Sequence, residues 1–275
     1  MGKVASQTLE AALAGALPDH TVCRLHWMAE ETLRGLEAWC ADPALPEGFR
    51  ESVKNQIEEG RAVRKSVVKK RRGSSGPRRK IVSLTREPME HIVSGYFQNI
   101  RTIIEGAEDP EVFREIRTDV LIRRFQDYIA NRYGNRSGVT SSRDSLLDHI
   151  FHAATDWFDV ELKAVFGIDV YRTPFDTDKG YQRYADEAAD VIVIRYENLG
   201  PCLRPAMKEF LGIDVQIRKN LNIGREKEYD GLYEDFTGQI KIDGDFLRSL
   251  YSEKYARHFY TGAEIETAIR RWSKA

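Results

Sequence analysis

The sequence predicts an α/β protein in which a parallel sheet lies between two layers of helices. Short apolar, β-branched runs alternate with longer segments of helical periodicity, a pattern typical of strand–helix–strand units with right-handed crossovers. The run from Asp190 to Arg195 is almost continuously apolar, as expected of a strand buried on both faces. The chain has 275 residues, and we expect it to form one domain over residues 1–275.

The composition limits the classes of partner. The 42 Lys and Arg residues nearly balance the 43 Asp and Glu residues, so no overall field recruits nucleic acid or an anionic membrane, and any anion site must be local. Cys23, Cys40 and Cys202 include no CxxC pair, which argues against a thiolate metal site and fits a reducing compartment. No apolar run approaches the roughly 20 residues that cross a bilayer. We therefore expect a cytoplasmic protein without a transmembrane segment.

The first part of the chain predicts a loop, a helix and a strand. Apolar residues recur at helical spacing from Ser6, and after a break at Pro18 a strand is expected over Thr21–His26. Two further helices are expected, over Glu30–Trp39 and from about Pro46 toward Lys65. Residues 66–80 contain many basic residues around a Gly/Ser/Pro core, which predicts an exposed, mobile basic loop.

The rest of the chain predicts two strands that lead into helices. Lys80–Thr85 is a short β-branched run, and a helix begins with Pro88 in its first turn. Helical periodicity then continues in three pieces to Phe166, and the strand Asp190–Arg195 follows. From Leu203 the chain is expected to be mostly helical.

A parallel sheet binds ligands beyond the carboxyl ends of its strands, and the first candidate site is the loop Gly2–Thr8 before the first helix. Its small residues let backbone N–H groups approach an anion at a helix N-terminus, and Lys3 adds a full charge. Hydroxyls of Ser6 and Thr8 supply further donors. Because Lys3 precedes the turn, the loop is not a Walker A loop. The alternative interpretation is an ordinary disordered N-terminus.

Two further candidates follow the two strands. Arg86 comes directly after Thr85, and Ser94 lies about two helical turns further on, so both could face one phosphate. The alternative is a surface arginine and a helix serine. Arg195–Leu199 follows the buried strand and has a helix cap as its alternative interpretation.

These pieces, in this order, resemble the sulfotransferase superfamily that uses 3′-phosphoadenosine 5′-phosphosulfate. Within it, the chain is most similar to a bacterial sulfotransferase-like family whose members are usually labelled putative capsular polysaccharide synthesis proteins. The resemblance rests on Ser83–Pro88, Ser94–Asn99, Trp157–Asp159, Phe166–Tyr171, Tyr196–Leu199 and the tail, Leu250–Tyr260. It implies a three-layer, P-loop-like fold with a helix-rich C-terminal part.

The resemblance assigns the candidate residues to parts of the sulfuryl donor. It implies that Lys3 contacts the sulfate and the bridging oxygen, and that Arg86 and Ser94 bind the 3′-phosphate. The 5′-phosphate is expected to bind the loop residues Val4, Ala5, Ser6, Gln7 and Thr8. No metal is required for this chemistry. The family also has a strand before this loop, which the sequence lacks ahead of Met1, so we expect the natural chain to start further upstream.

A hydroxyl acceptor must lose a proton as it attacks sulfur, which calls for a general base. His26 is the candidate because it closes the predicted strand Thr21–His26, and carbohydrate sulfotransferases resembling this chain use a histidine in such a region. A structural histidine is the alternative, and Glu30 and Glu31 are the second choice of base. His149 and His152 share a helical face, but no nearby carboxylate completes a metal site.

The acceptor is expected to be a hydroxyl of a carbohydrate or polysaccharide, because of the family resemblance. Arg225 or Lys227 could close over the nucleotide, and Trp27, Trp157 or Tyr181 could stack on adenine or sugar, with solvated and core positions as the alternatives. Two other functions remain open: a catalytically inactive nucleotide-binding or scaffold relative, and, less favoured, a P-loop kinase.

Overall fold

The computed structural model describes residues 6–43, 45–71, 78–104, 109–134, 154–187, 189–217 and 230–273. In this part the protein is a mixed α/β structure that is mostly helical and contains a three-stranded sheet. The α-helices of the first half are α1 (Ser6–Ala16), α2 (Glu30–Ala41), α3 (Glu47–Arg71), α4 (Pro88–Gln98), α5 (Ile100–Ile103), α6 (Pro110–Arg114) and α7 (Thr118–Gly134). The α-helices of the second half are α8 (Ala164–Phe166), α9 (Leu199–Leu211), α10 (Asp230–Gln239), α11 (Gly244–Ser252), α12 (Lys254–Phe259) and α13 (Gly262–Trp272).

The sheet contains β1 (Arg79–Thr85), β2 (Tyr181–Ala185) and β3 (Ala189–Arg195), in the order β1-β3-β2. β1 and β3 are parallel, as predicted, and pair from Arg79 opposite Ala189 to Thr85 opposite Arg195. All residues of β3 are buried, since this strand is central in the sheet and its apolar side chains pack in the core. The prediction of a wholly parallel sheet was wrong, since β2 is antiparallel to β3. The three-layer, P-loop-like arrangement stays a prediction.

The strand predicted over Thr21–His26 does not form. At and just beyond its expected end, backbone groups are bound by side chains instead. The indole Nε1 of Trp157 donates to the carbonyl of His26 at 2.7 Å. Just beyond, the carboxylate of Glu161 accepts from the N–H groups of Met28 and Ala29, the latter at 2.7 Å. The side chains of Trp157 and Glu161 therefore fix the end of the segment between α1 and α2.

Glu161 lies in a π-helix, Phe158–Lys163, which widens the helical turn just before α8. The side chain of Glu161 is fully buried, and it also accepts from the hydroxyl of Thr32 at 2.6 Å. Since the N-cap of α2, Ala29, offers no side-chain acceptor, this distant carboxylate supplies the cap of α2.

Both ends of the segment 66–80, which was predicted to be a mobile basic loop, belong to regular elements. Helix α3 continues to Arg71 and β1 begins at Arg79, while residues 72–77 lie outside the described residues. The other helices that the sequence predicted, namely those after Ser6, Glu30, Pro46 and Pro88 and from Leu203 onward, are confirmed, with α3 and α9 longer than expected.

The apolar side chains form two clusters. One packs the faces of the sheet, with residues from α1, the π-helix, α9 and the tail, such as Leu9, Phe158, Phe210 and Phe259. The other joins helices α2, α3, α4, α7, α10, α11 and α13. Helix α4 follows β1 directly and presents Ile92 and Tyr96 to the second cluster, so its first turn lies where the sheet meets the helical part.

Candidate functional site

The carboxyl ends of β1 and β3 lie side by side because the two strands are parallel and end in register. The next residue of each strand therefore meets the other: the guanidinium carbon of Arg86 lies 4.7 Å from the centre of the Tyr196 ring. Two of the three candidate sites, which are far apart in sequence, thus come together. We call Arg86, Glu90, Ser94 and Tyr196 the strand-end site.

Three polar residues of this site recur at helical spacing. Arg86, Glu90 and Ser94 are four residues apart, so Glu90 and Ser94 share one face of α4 with Arg86 just before its first turn. The Arg86 side chain is 13% exposed and its Nη2 lies 3.3 Å from Oε2 of Glu90. Ser94 is partly buried. The arginine and serine predicted to bind one phosphate therefore lie along one face, with a glutamate between them.

The tail fixes the backbone at the end of β1. The buried hydroxyl of Tyr255 accepts from the N–H of Arg86 at 3.0 Å and donates to the carbonyl of Arg86 at 3.1 Å. These two hydrogen bonds hold the backbone of Arg86 in place, and from there its side chain reaches α4 and Tyr196. The sequence showed the tail only as a family-like segment and gave no sign that it would contact β1.

Glu87 connects α4 to the C-terminal helices. Its carboxylate caps α4 by accepting from the N–H groups of Met89 and Glu90, both at 2.9 Å. It also accepts from the hydroxyl of Tyr251 and, at 3.3 Å, from the indole of Trp272. Burial raises the pKa of Glu87 above its ordinary value, although these donors act in the other direction.

Glu197 is a second carboxylate at this edge, and its side chain is 30% exposed. Its Oε1 accepts from the N–H of Glu87 at 2.6 Å, and both of its oxygens lie 3.3 Å from the hydroxyl of Tyr260. Burial raises its pKa as well. The neighbouring Arg195 is 4% exposed and forms an ion pair with Glu264. Through the hydrogen bonds of Glu197, the family-like segment after β3 therefore links the start of α4 to the tail.

The opening loop lies mostly outside the described residues, which begin at Ser6, so nothing is shown of Lys3, Val4 or Ala5. Ser6, Gln7 and Thr8 form the first turn of α1, and Thr8 is buried. Ser6 lines a cavity of 1220 Å³ between α1, α3 and β1, and Leu84, two residues before Arg86, lines the same cavity.

The proposed base, His26, lies between α1 and α2 rather than at the end of a strand. Its ring centre is 5.4 Å from that of Trp27, and its carbonyl is bonded to Trp157. Of the second-choice bases, Glu30 forms ion pairs with Arg34 and Arg64, and Glu31 is exposed.

The aromatic residues predicted to stack on adenine or sugar are packed or hydrogen-bonded within the protein. Trp157 is buried and its indole binds the carbonyl of His26, while the buried Tyr181 donates to Glu209 at 3.0 Å. Trp27 packs partly buried against the second apolar cluster. Arg225, Lys227, His149 and His152 lie outside the described residues.

The family-like segments of the second half pack against one another. Phe158 stacks on Tyr255 with ring centres 6.1 Å apart and contacts Phe259 at 5.1 Å. Asp159 forms an ion pair with Lys254 at the start of α12. The π-helix and the tail are thus one packed unit, and this unit holds the backbone of Arg86.

Within the described residues, no group of three or more His, Cys, Asp or Glu side chains is arranged to hold a metal ion. None of the described helices is long and apolar enough to cross a membrane.

Comparison with known families gives a match in the second half of the chain. Residues 140–261 match the model of the family described as putative capsular polysaccharide synthesis protein (NKWYS). The matched region contains the π-helix, β3, Tyr196 and the tail, whereas Arg86 and Ser94 precede it. In this region the chain is therefore similar to proteins of that family. No curated protein and no solved structure matches the chain significantly.

Proposed function

We propose that the protein is a sulfotransferase that moves the sulfuryl group of 3′-phosphoadenosine 5′-phosphosulfate to a hydroxyl of a carbohydrate or polysaccharide. The observation that carries the proposal is the position of Arg86. It lies at the carboxyl end of a strand in a parallel pair, beside Tyr196 and in line with the face of α4 that carries Ser94. The match of residues 140–261 to a capsular polysaccharide synthesis family supports the choice of acceptor class.

The residues have separate roles in this proposal. Arg86 and Ser94 bind the 3′-phosphate, and Lys3 with residues Val4–Thr8 binds the 5′-phosphosulfate, as the family resemblance implies. The acceptor oxygen forms a bond to sulfur while the bond from sulfur to the bridging oxygen breaks, and 3′-phosphoadenosine 5′-phosphate leaves. The proton of the acceptor hydroxyl passes to the base, for which His26 remains the candidate. Positioning and charge stabilisation, rather than a metal, supply the rate.

Equilibrium binding and transfer of labelled sulfate test this proposal together. We expect the chain to bind 3′-phosphoadenosine 5′-phosphate more tightly than magnesium–ATP, and a screen of glycans and small alcohols to reveal a labelled product. Tighter binding of magnesium–ATP would favour a kinase. Failure to bind either the donor or its product would contradict the sulfotransferase proposal.

The role of His26 has its own test. Replacing it in His26→Ala is expected to lower the transfer rate by about 10²-fold or more, because a general base typically contributes that much, while binding of 3′-phosphoadenosine 5′-phosphate is unchanged. His20→Ala, at an exposed position of the same connection, is the control. Full turnover by His26→Ala would remove His26 from the mechanism.

A non-catalytic relative is the second candidate, and one observation favours it. Around the strand-end site, the described carboxylates of Glu87, Glu90, Glu197 and Glu264 outnumber the guanidinium groups of Arg86, Arg195 and Arg271. Such surroundings oppose an incoming anion unless some carboxylates are protonated or move. Absence of 3′-phosphoadenosine 5′-phosphate binding by a folded chain would support this candidate.

A further inference from the structure

Two arginines from distant parts of the chain bind the two oxygens of one carboxylate. Nη2 of Arg86 lies 3.3 Å from Oε2 of Glu90, and Nη1 of Arg271 forms an ion pair with Oε1 of the same side chain. Burial acts to raise the pKa of Glu90, but the two guanidinium groups outweigh it and hold the pKa below its ordinary value. Glu90 is therefore an ionised group between two cations.

Both arginines are held in place by contacts that do not involve Glu90. The backbone of Arg86 is bonded on both sides by the Tyr255 hydroxyl. Arg271 precedes Trp272, which is 2% exposed and whose indole donates to Glu87 at the start of α4. The Arg271 guanidinium also lies over the Trp272 ring, at 4.8 Å. The two cations would therefore stay close to each other if the Glu90 side chain turned away.

The three side chains run from the interior to the surface. Arg86 is 13% exposed, Glu90 is 26% exposed and Arg271 is 56% exposed. A ligand can thus reach the outer arginine first, and Glu90 has solvent into which it can turn. Tyr233 of α10 is close enough to all three for their charges to act on its hydroxyl, so an aromatic ring borders the same place.

We propose that Arg86 and Arg271 form a two-arginine anion site in which Glu90 is an internal counter-anion that an incoming phosphate monoester displaces. This inference rests on the proposed function, because the 3′-phosphate of the nucleotide is the phosphate monoester concerned. Arg271 becomes a new binding residue and Glu90 a residue that weakens binding.

The charges explain why the exchange is favourable. A carboxylate brings one negative charge and two oxygens, whereas a phosphate monoester brings a charge of about −1.5 to −2 and three acceptor oxygens at neutral pH. Two guanidinium groups can each donate in a bidentate manner to such a group. While the site has no ligand, Glu90 compensates two cations that would otherwise repel each other at the end of β1.

Binding of two probes, 3′-phosphoadenosine 5′-phosphate and inorganic phosphate, to variants of the whole chain tests the inference. Glu90→Gln is expected to tighten binding of both probes about tenfold, and Arg271→Gln to weaken it about tenfold, as is usual for one charge-assisted contact. Arg271 is half-exposed, so this variant is expected to fold, and thermal melting checks both. The matched controls are Glu266→Gln and Arg270→Gln, at exposed positions of α13, which are expected to change neither affinity.

The outcomes separate the inference from the proposed function. Nucleotide binding that is equal in the wild type, Glu90→Gln and Arg271→Gln would overturn the inference and leave the sulfotransferase proposal standing. The expected changes with inorganic phosphate, but no tighter binding of the nucleotide than of phosphate, would support the two-arginine site and contradict the proposed function. No binding of either probe, even by Glu90→Gln, would overturn both.

Discussion

At the scale of single residues, the carboxyl groups around the end of β1 have pKa values that are shifted in opposite directions. The carboxylates of Glu87 and Glu197 accept hydrogen bonds from neutral N–H and O–H donors, and desolvation raises the pKa of each. The side chains of Glu90 and Glu264 are partly exposed; desolvation acts to raise the pKa of each, but contacts with arginines outweigh it and lower the pKa. The charge of this edge is therefore sensitive to pH, and Glu87 and Glu197 take up protons first as the pH falls.

Glu197→Gln tests this assignment through stability. A carboxyl whose pKa is raised in the folded state adds stability below its unfolded value, near 4.5, and loses that contribution as the pH rises through the folded value. Because glutamine cannot ionise, we expect the free energy of unfolding to fall less steeply between pH 4.5 and neutrality in the variant than in the wild type. Denaturant titrations at a series of pH values measure this slope.

Glu187→Gln, at an exposed position between β2 and β3, is the control and should leave the slope unchanged. A Glu197→Gln slope equal to that of the wild type would show that the folded protein does not resist ionisation of Glu197.

At the scale of elements, the apolar pattern predicted β1 and β3 but did not predict β2, and it predicted a strand over Thr21–His26 that does not form. β1 and β3 were recognised because their apolar, β-branched residues pack on the sheet core. β2 is short and its burial alternates, so it gave no strong signal. Thr21–His26 has a strand-like composition, but Trp157 and Glu161, which lie more than a hundred residues away, bind the backbone in and just after this segment. Such distant partners cannot be read from local periodicity.

Glu161→Gln tests the distant cap of α2. Glutamine keeps one oxygen for the N–H groups of Met28 and Ala29, but it turns an amide toward the Thr32 hydroxyl and removes the charge that strengthens these bonds. We therefore expect a loss of about 1–3 kcal/mol in the free energy of unfolding. Denaturant unfolding measures the loss. Glu58→Gln, at an exposed position of α3, should change stability by less than about 0.5 kcal/mol. A comparably small change for Glu161→Gln would mean that its hydrogen bonds do not support α2.

At the scale of the whole molecule, the strand-end site joins parts that are remote in sequence. Arg271 and Glu90 are 181 residues apart, and Tyr255 and Arg86 are 169 apart. The sequence identified Arg86 because it follows a strand, and Ser94 because it lies about two helical turns after Arg86. The structure places Arg86 against Tyr196, as expected for residues that follow two parallel strands ending in register. The sequence could not identify Glu90 and Arg271, because each looks like an ordinary helix-surface residue and the two become a pair only through tertiary packing.

The family match and the proposed donor site cover different parts of the molecule. The match ends before α13 and begins after α4, so it includes neither Arg86 nor Arg271. The tail connects the two parts, because Tyr251 and Tyr255 lie in the matched region and bind Glu87 and Arg86. The nucleotide proposal must therefore be tested at Arg86 itself.

The most direct test compares the affinities for 3′-phosphoadenosine 5′-phosphate and adenosine 5′-phosphate, which differ only in the 3′-phosphate. We expect the wild type to prefer the former by about tenfold or more, and Arg86→Gln to lose this preference. Arg123→Gln, at an exposed position of α7, should keep it. Equal affinity of the wild type for the two nucleotides would contradict the proposal that the end of β1 binds the 3′-phosphate.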